Sequence, residues 1–232
     1  MNKFVHFFSQ NDVIKDAIDK NLLGMRGKQT NEFAELKFPI LPGFIIDADI
    51  ASKLEHESVT AAIEPFVKKI EKYVEKKFND SKEPLLFKIV ISPNLAISNY
   101  PALHNFGLTI NTIDGFSEFV GEHFCSHEIV FMLRGYLKIE ERIAEIEKRD
   151  KDHQKIKEAI HGLSSLMDDA SIKVKPKAIL ENYAPLLPKG FFADSWKQME
   201  IVLKRISHLL DIDEQDDCDT ALIVQPIGRA HV

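Results

Sequence analysis

Leu85-Leu86-Phe87-Lys88-Ile89-Val90-Ile91 is the stretch on which the fold turns. Its residues are apolar, the last three β-branched, with Lys88 as the one charge. Turn-forming residues bound it on one side (Asn79–Pro84) and a loop-like segment (Ser92–Tyr100) on the other, so it reads as a central strand. Directly upstream, Ser58–Phe78 reads as an amphipathic helix. Ile63, Phe66, Val67, Ile70, Val74 and Phe78 share one face, and Lys and Glu fill the other. Pro65 is discordant there and is expected in the first turn or at a kink.

Working outward, Phe4–Phe8, Phe44–Ile46 and Ala221–Gln225 read as further strands, and Leu108–Ile113 as a strand or an extended stretch. Asp12–Leu23 has helical spacing through Ile14, Ile18 and Leu22. Gly24 and Gly27 then bracket a turn, Thr30–Leu36 reads as a helix with Phe33 and Leu36 on one face, and Lys37–Gly43 breaks it. The second half is helix-rich. Helices are expected over Ile113–His123, over His127–Ile146 (stripe Ile129, Leu133, Tyr136, Ile139, Ile143, Ile146) and over Asp152–Met167. Lys173–Gly190, with three prolines, reads as loop or a short helix. Asp194 or Ser195 caps a last helix that carries Trp196, Met199, Val202, Leu203, Ile206 and Leu210 inward. Strands this few and this separated give an α+β fold with an incomplete sheet, and lend little support to a parallel doubly wound one. The expected organisation is an N-terminal α/β part (1–110), a helical part (111–215) and a returning strand (216–232).

The chain has 232 residues, Lys+Arg 30 against Asp+Glu 36, a net charge of −6 and 44% hydrophobic residues. That is ordinary globular composition, long enough for a sizeable core. The acidic balance argues against nucleic-acid binding by bulk charge. No apolar run approaches the roughly 20 residues a membrane helix needs, and the N-terminus lacks a signal-peptide pattern. Cys125 and Cys218 lie far apart, with no CxxC pair, so two reduced thiols in a cytoplasmic protein are expected.

Chemistry is most suggestive at Gly24-Met25-Arg26-Gly27-Lys28. Glycines let the backbone approach a phosphate, and Arg26 and Lys28 supply charge. An ordinary turn with solvated cations is the competing reading, and the spacing is not that of a P-loop. His123 and His127 share a helix face beside Cys125 and Glu128, but no third metal ligand is evident. Asp211, Asp213, Glu214, Asp216, Asp217 and Asp219 lack the glycine and terminal glutamate of a calcium loop, so a solvated acidic loop is expected. No catalytic residue and no metal ligand is assigned.

Several segments, in order along nearly the whole chain, resemble the N-terminal nucleotide-binding region of pyruvate, phosphate dikinase. Lys3-Phe4-Val5-His6-Phe7-Phe8 resembles that enzyme's first strand. Leu22-Leu23-Gly24-Met25-Arg26-Gly27, then Glu32, Pro39, Pro42, Gly43 and Phe44, resembles its LLGGKGxxLxEM…LPVPPGF signature. Lys76-Lys77-Phe78 and Pro84-Leu85-Leu86 resemble the approach to its SVRSG motif. Asn105-Phe106-Gly107-Leu108 resembles NLGLN. Trp196 with its helix, then Thr220-Ala221 and Val224-Gln225, resemble the segment that ends in a TAVNVQ-type strand.

The resemblance implies an ATP-grasp-like domain that uses ATP and Mg, and that passes phosphate to a histidine on a separate domain for transfer to pyruvate. The family's phosphate-contacting lysine falls on Arg26, which keeps the charge with a different geometry; with Gly24, Gly27 and Lys28 it is the implied nucleotide site. Met25 replaces a glycine. The SVRSG arginine falls near Val90, and Lys88, two residues earlier on the same strand face, is the nearby cation. The SMPGMMDT loop appears as Ala96–Ala102 without its glycine and aspartate. The magnesium carboxylates and the phosphohistidine and pyruvate-binding domains lie beyond the family's equivalent of Gln225, and the ending Ile227–Val232 departs from the family's glycine-containing loop. A truncated chain, inactive alone, is therefore expected, with those domains supplied in trans as partners. The alternatives are a non-catalytic binding or regulatory module on the same fold and, from another class, a helical interaction protein.

Overall fold

The computed structural model describes residues 2–15, 19–54, 58–95, 99–168, 174–213 and 218–227. Five strands, β1 (Val5–Phe8), β2 (Gly43–Ile46), β3 (Phe87–Pro93), β4 (Leu103–Phe106) and β5 (Thr220–Pro226), form one open sheet in the order β1-β2-β5-β3-β4. Every neighbouring pair is antiparallel. The last strand of the sequence thus occupies the middle of the sheet, where Ile223 pairs with Ile45 on one side and Val90 on the other. β3 lies inside the sheet, as its composition requires.

The two faces of the sheet are covered unequally. Phe44, Ile46, Phe87, Ile89, Ile91, Leu103, Leu222 and Val224 point into the main core. The long α5 (Glu122–Ile146) and α8 (Ser195–Ile212) supply Ile129, Leu133, Tyr136, Val202, Leu203 and Ile206 to that core, and α3 (Val59–Val74) adds Ile63, Val67 and Ile70. Ile45, Val90, Ala221 and Ile223 point the other way, into a small cluster with Phe8, Ile14 and Leu23. A short helix, α1 (Gly24–Glu35), the 3-10 turn before it (Lys20–Leu23) and Ile40 pack on that second face among the described residues.

The remaining helices are α2 (Ala48–Ala51), α4 (Ile113–Val120), α6 (Asp150–Asp168) and α7 (Pro176–Tyr183). Asp194 caps α8, its side chain accepting the Lys197 N–H at 2.9 Å. Pro65 lies inside α3, where the Ala61 carbonyl loses its helical donor. Glu140 accepts both Arg205 Nε and an Arg205 terminal nitrogen at 2.8 Å, and Tyr136 donates to the same carboxylate at 2.5 Å. This trio ties α5 to α8.

Four expectations are corrected. Asp12–Leu23 is not a helix: Ser9 and Asp12 form a bridge, and only Lys20–Leu23 winds, as a 3-10 turn. Asn31 on α1 explains this. Its Oδ1 accepts the Ile14 N–H at 2.7 Å and its Nδ2 donates to the Ile14 carbonyl, so both backbone groups are used outside any local helix. Gly24–Lys28 is not a turn but the first part of α1, which begins well before Thr30. Phe33 and Leu36 do share the end of that helix, yet are 49% and 68% exposed. Leu108–Ile113 is not a strand. The strand is β4, and Thr112 turns the chain after it, donating to the Gly107 carbonyl at 2.6 Å and accepting the Thr109 N–H at 2.9 Å. Finally, Ser92 and Pro93 belong to β3, paired with Ala221 and Thr220, rather than to a loop. Ile18, Ala96–Ser98, Glu214, Asp216, Asp217 and Gly228–Val232 lie outside the described residues.

Candidate functional site

The glycine segment is built onto the thinly covered face of the sheet. Asp19 caps the 3-10 turn by accepting the Asn21 N–H at 2.9 Å. The chain enters α1 through Gly24 at φ +65°, the left-handed region that glycine tolerates. A Cβ at Gly24 would lie 1.9 Å from the Ser92 carbonyl oxygen, so helix and β3 touch there backbone to backbone. A Cβ at Gly27 would lie 3.0 Å from Ile45 Cδ1. Both glycines are thus in packing contact with the sheet. The Arg26 N–H donates to Ser92 Oγ at 3.1 Å, and the Gly24 N–H donates to the Asn21 carbonyl.

The two cations of the segment diverge. Lys28 Nζ donates to Asn21 Oδ1 at 2.8 Å and to Asn94 Oδ1 at 2.7 Å, tethering α1 to the end of β3. Arg26 is exposed and lies close enough to Lys88 to hold that ammonium's pKa down, after burial, which is the larger cause. Lys88 in turn acts on His104, whose imidazole is held below its usual range first by burial and then by this neighbour. Among the described residues no carboxylate pairs with Arg26 or Lys88 within ion-pair distance. Three groups able to carry positive charge therefore line up on one face without a counter-charge, and desolvation without compensation costs free energy.

Strand register explains the line. Lys88 pairs with Gln225 on β5 and points to the same face as Val90 and Ile223. Between the β3–β4 pairs Phe87–Phe106 and Ile89–Leu103 there is one residue on β3, Lys88, and two on β4, His104 and Asn105. That is a bulge, and Asn105 adopts φ +65° within it. Asn105 turns toward α5 and donates to the Glu128 carboxylate at 2.6 Å, whose pKa burial raises. His104 is half-buried and rests against the ring of Phe131, centroids 5.1 Å apart. His104, Phe131 and Gln225 escape a reading of the sequence, because the bulge that gathers them depends on register. Lys88 is legible from alternation within its strand.

The other suggestive residues lie elsewhere. His123 and His127 have ring centroids 5.3 Å apart on α5, and among the described residues no group of three His, Cys, Asp or Glu could hold a metal ion. Cys125 is buried, its thiol pushed up to about 12 by burial. Both cysteines are free. A cleft of about 280 Å³ lined by Ser52, Tyr100, Cys218, Asp219 and Thr220 opens at the start of β5, the opposite end of that strand from Gln225, and among the described residues no cationic side chain lines it. Charge marks the Arg26 end. No helix among the described residues is long and apolar enough to cross a membrane.

No protein-family model matches the chain. It is 38% identical over 225 residues to pyruvate, phosphate dikinase of Treponema pallidum, a match that takes in 97% of the chain. The chain spans about a quarter of the length of that curated relative, 25%. The similarity to a dikinase seen in separate segments is thus continuous from end to end, and it is partial on the side of the longer protein.

Proposed function

We propose that the chain is the ATP-binding part of a phosphotransferase of the pyruvate, phosphate dikinase type, with the triphosphate held by Arg26 and Lys88. The observation that carries this reading is the pair of cations on the thinly covered sheet face, half-buried at Lys88 and without a carboxylate partner among the described residues. A guanidinium forks onto phosphate oxygens, and a neighbouring ammonium adds a point charge. Phosphoryl transfer needs such charge around the transferring group. In this reading Gly24 and Gly27 hold α1 against the sheet so that Arg26 faces the ligand, and Lys28 fixes the segment through Asn21 and Asn94. An ATP-grasp-like fold, a division into an N-terminal α/β part, a helical part and a returning strand, and phosphohistidine and pyruvate-binding domains acting in trans belong to the same proposal.

Magnesium enters only as the companion of the triphosphate. The described residues do not fit a metal site of their own, since they bring no three ligating groups together, and no step is derived through the ion. Calorimetry tests the reading: ATP is expected to bind, and Arg26→Ala to weaken it at least tenfold. Absence of heat and of any thermal shift at millimolar ATP would sink a nucleotide role.

A second reading, a non-catalytic module on the same fold, has one observation in its favour. Val90, where the family's arginine falls, is 9% exposed and packed with Ile45 and Ile223. That position contributes apolar packing, not charge. The two readings separate on turnover: nucleotide binding with no phosphoenolpyruvate formed, even with phosphohistidine and pyruvate-binding domains supplied, favours the module.

A further inference from the structure

We propose that the His104–Phe131 ring pair is a stacking wall for the base of the bound nucleotide, beside the Arg26–Lys88 end that takes the phosphates. This rests on the nucleotide reading and assigns to that site a part that the cations cannot supply.

The argument starts from the bulge. The extra residue on β4 turns Asn105 to Glu128 on α5 and sets His104 beside Lys88, with its ring against Phe131 one turn further along the same helix. An imidazole there adds nothing to the core. It rests on Phe131, whose ring is 40% exposed and contributes to neither core cluster. Phe131 sits on α5 between Val130 and Met132, both fully buried. The helix backbone is therefore fixed and presents the ring at a set position. A rigid, half-open aromatic surface next to a cation row is the combination by which proteins hold nucleotides without reading base edges. The rings stack on the base, and the cations meet the phosphates. The desolvated surroundings that lower the His104 pKa keep its ring neutral near pH 7, the form that stacks without adding a charge to be neutralised. Gln225, half-buried across from Lys88, donates to the Leu41 carbonyl at 3.3 Å and closes the β5 side of the same face.

The test compares two probes on the full chain: ATP, and inorganic tripolyphosphate, which has the phosphates and no base. Phe131→Ala is expected to weaken ATP about tenfold and to leave tripolyphosphate within about twofold, because stacking is lost and the cations are not. Phe131→Tyr is expected to restore ATP affinity, and His104→Ala to act like Phe131→Ala. Unchanged ATP affinity in both alanine variants overturns the wall while leaving the cation site standing. Equal weakening of both probes also overturns it, since it would mean that Phe131 merely positions the cations. If wild-type protein binds neither probe, the nucleotide reading fails and takes the wall with it. Circular dichroism and a thermal melt on each variant separate loss of binding from loss of fold.

Discussion

Gly24 and Ser92 touch at backbone distance: the α-carbon of one lies against the carbonyl of the other, while the Ser92 hydroxyl accepts the N–H of Arg26 two residues along. This single junction sets where Arg26 stands relative to Lys88. Gly24→Ala is expected to destabilise the fold by about 2–4 kcal/mol, because it combines a positive φ with an overlap that only backbone movement relieves. Urea unfolding measures it; a loss below about 0.5 kcal/mol would mean that the junction is not as tight as its geometry.

Arg26→Ala and Lys28→Ala should separate binding from stability. Arg26 is exposed and pairs with no carboxylate among the described residues, so its loss is expected to cost less than about 0.5 kcal/mol of stability while weakening tripolyphosphate at least tenfold. Lys28 is engaged by two asparagine oxygens, so its loss is expected to cost about 1 kcal/mol and to affect the anion less. Paired unfolding and titration of both variants check the assignment.

Glu140→Ala is expected to destabilise by about 3 kcal/mol. It strips Arg205 of a bidentate partner and leaves the buried Tyr136 hydroxyl without an acceptor. Glu140→Gln keeps one acceptor and should cost less. Chemical denaturation of both variants, with Arg205→Met in the Glu140→Ala background as a double-mutant cycle, gives the coupling.

His104 gives the stability a pH dependence. Its folded pKa is depressed from 6.5 by burial and Lys88, so the unfolded chain takes up the proton first as pH falls. Stability is then highest above 6.5 and declines from there toward the folded value, below which this contribution levels off. Between about pH 7.5 and 5.5 the wild type is expected to lose stability more steeply than His104→Phe, which removes the titration and keeps the ring. Parallel slopes in the two proteins would show that His104 titrates as it does in the unfolded chain.

Much of this architecture is legible in the sequence where a local pattern decides it. The stripes of α3, α5 and α8, the cap at Asp194 and the β-branched run of β3 each state their structure within a few residues. Elements fixed by distant partners are not legible. Ile14 has helical spacing but gives its backbone to Asn31, and Gly24 looks like a turn residue but opens a helix because Ser92 lies under it. Leu103–Phe106 is too short and mixed to read as a strand, yet becomes one beside β3. For the candidate site the cations are visible, Arg26 in the glycine segment and again by resemblance, Lys88 by alternation. His104 and Phe131 are not, because a bulge register brings them together and no spacing encodes it.

The position of β5 has a consequence for biosynthesis. Residues 220–226 stand between β2 and β3, so β1–β2 and β3–β4 are two unconnected ribbons until that segment arrives. A growing chain can therefore wind the helices that precede residue 220 but cannot knit the two ribbons together before that segment is made. One short strand then closes two edges at once.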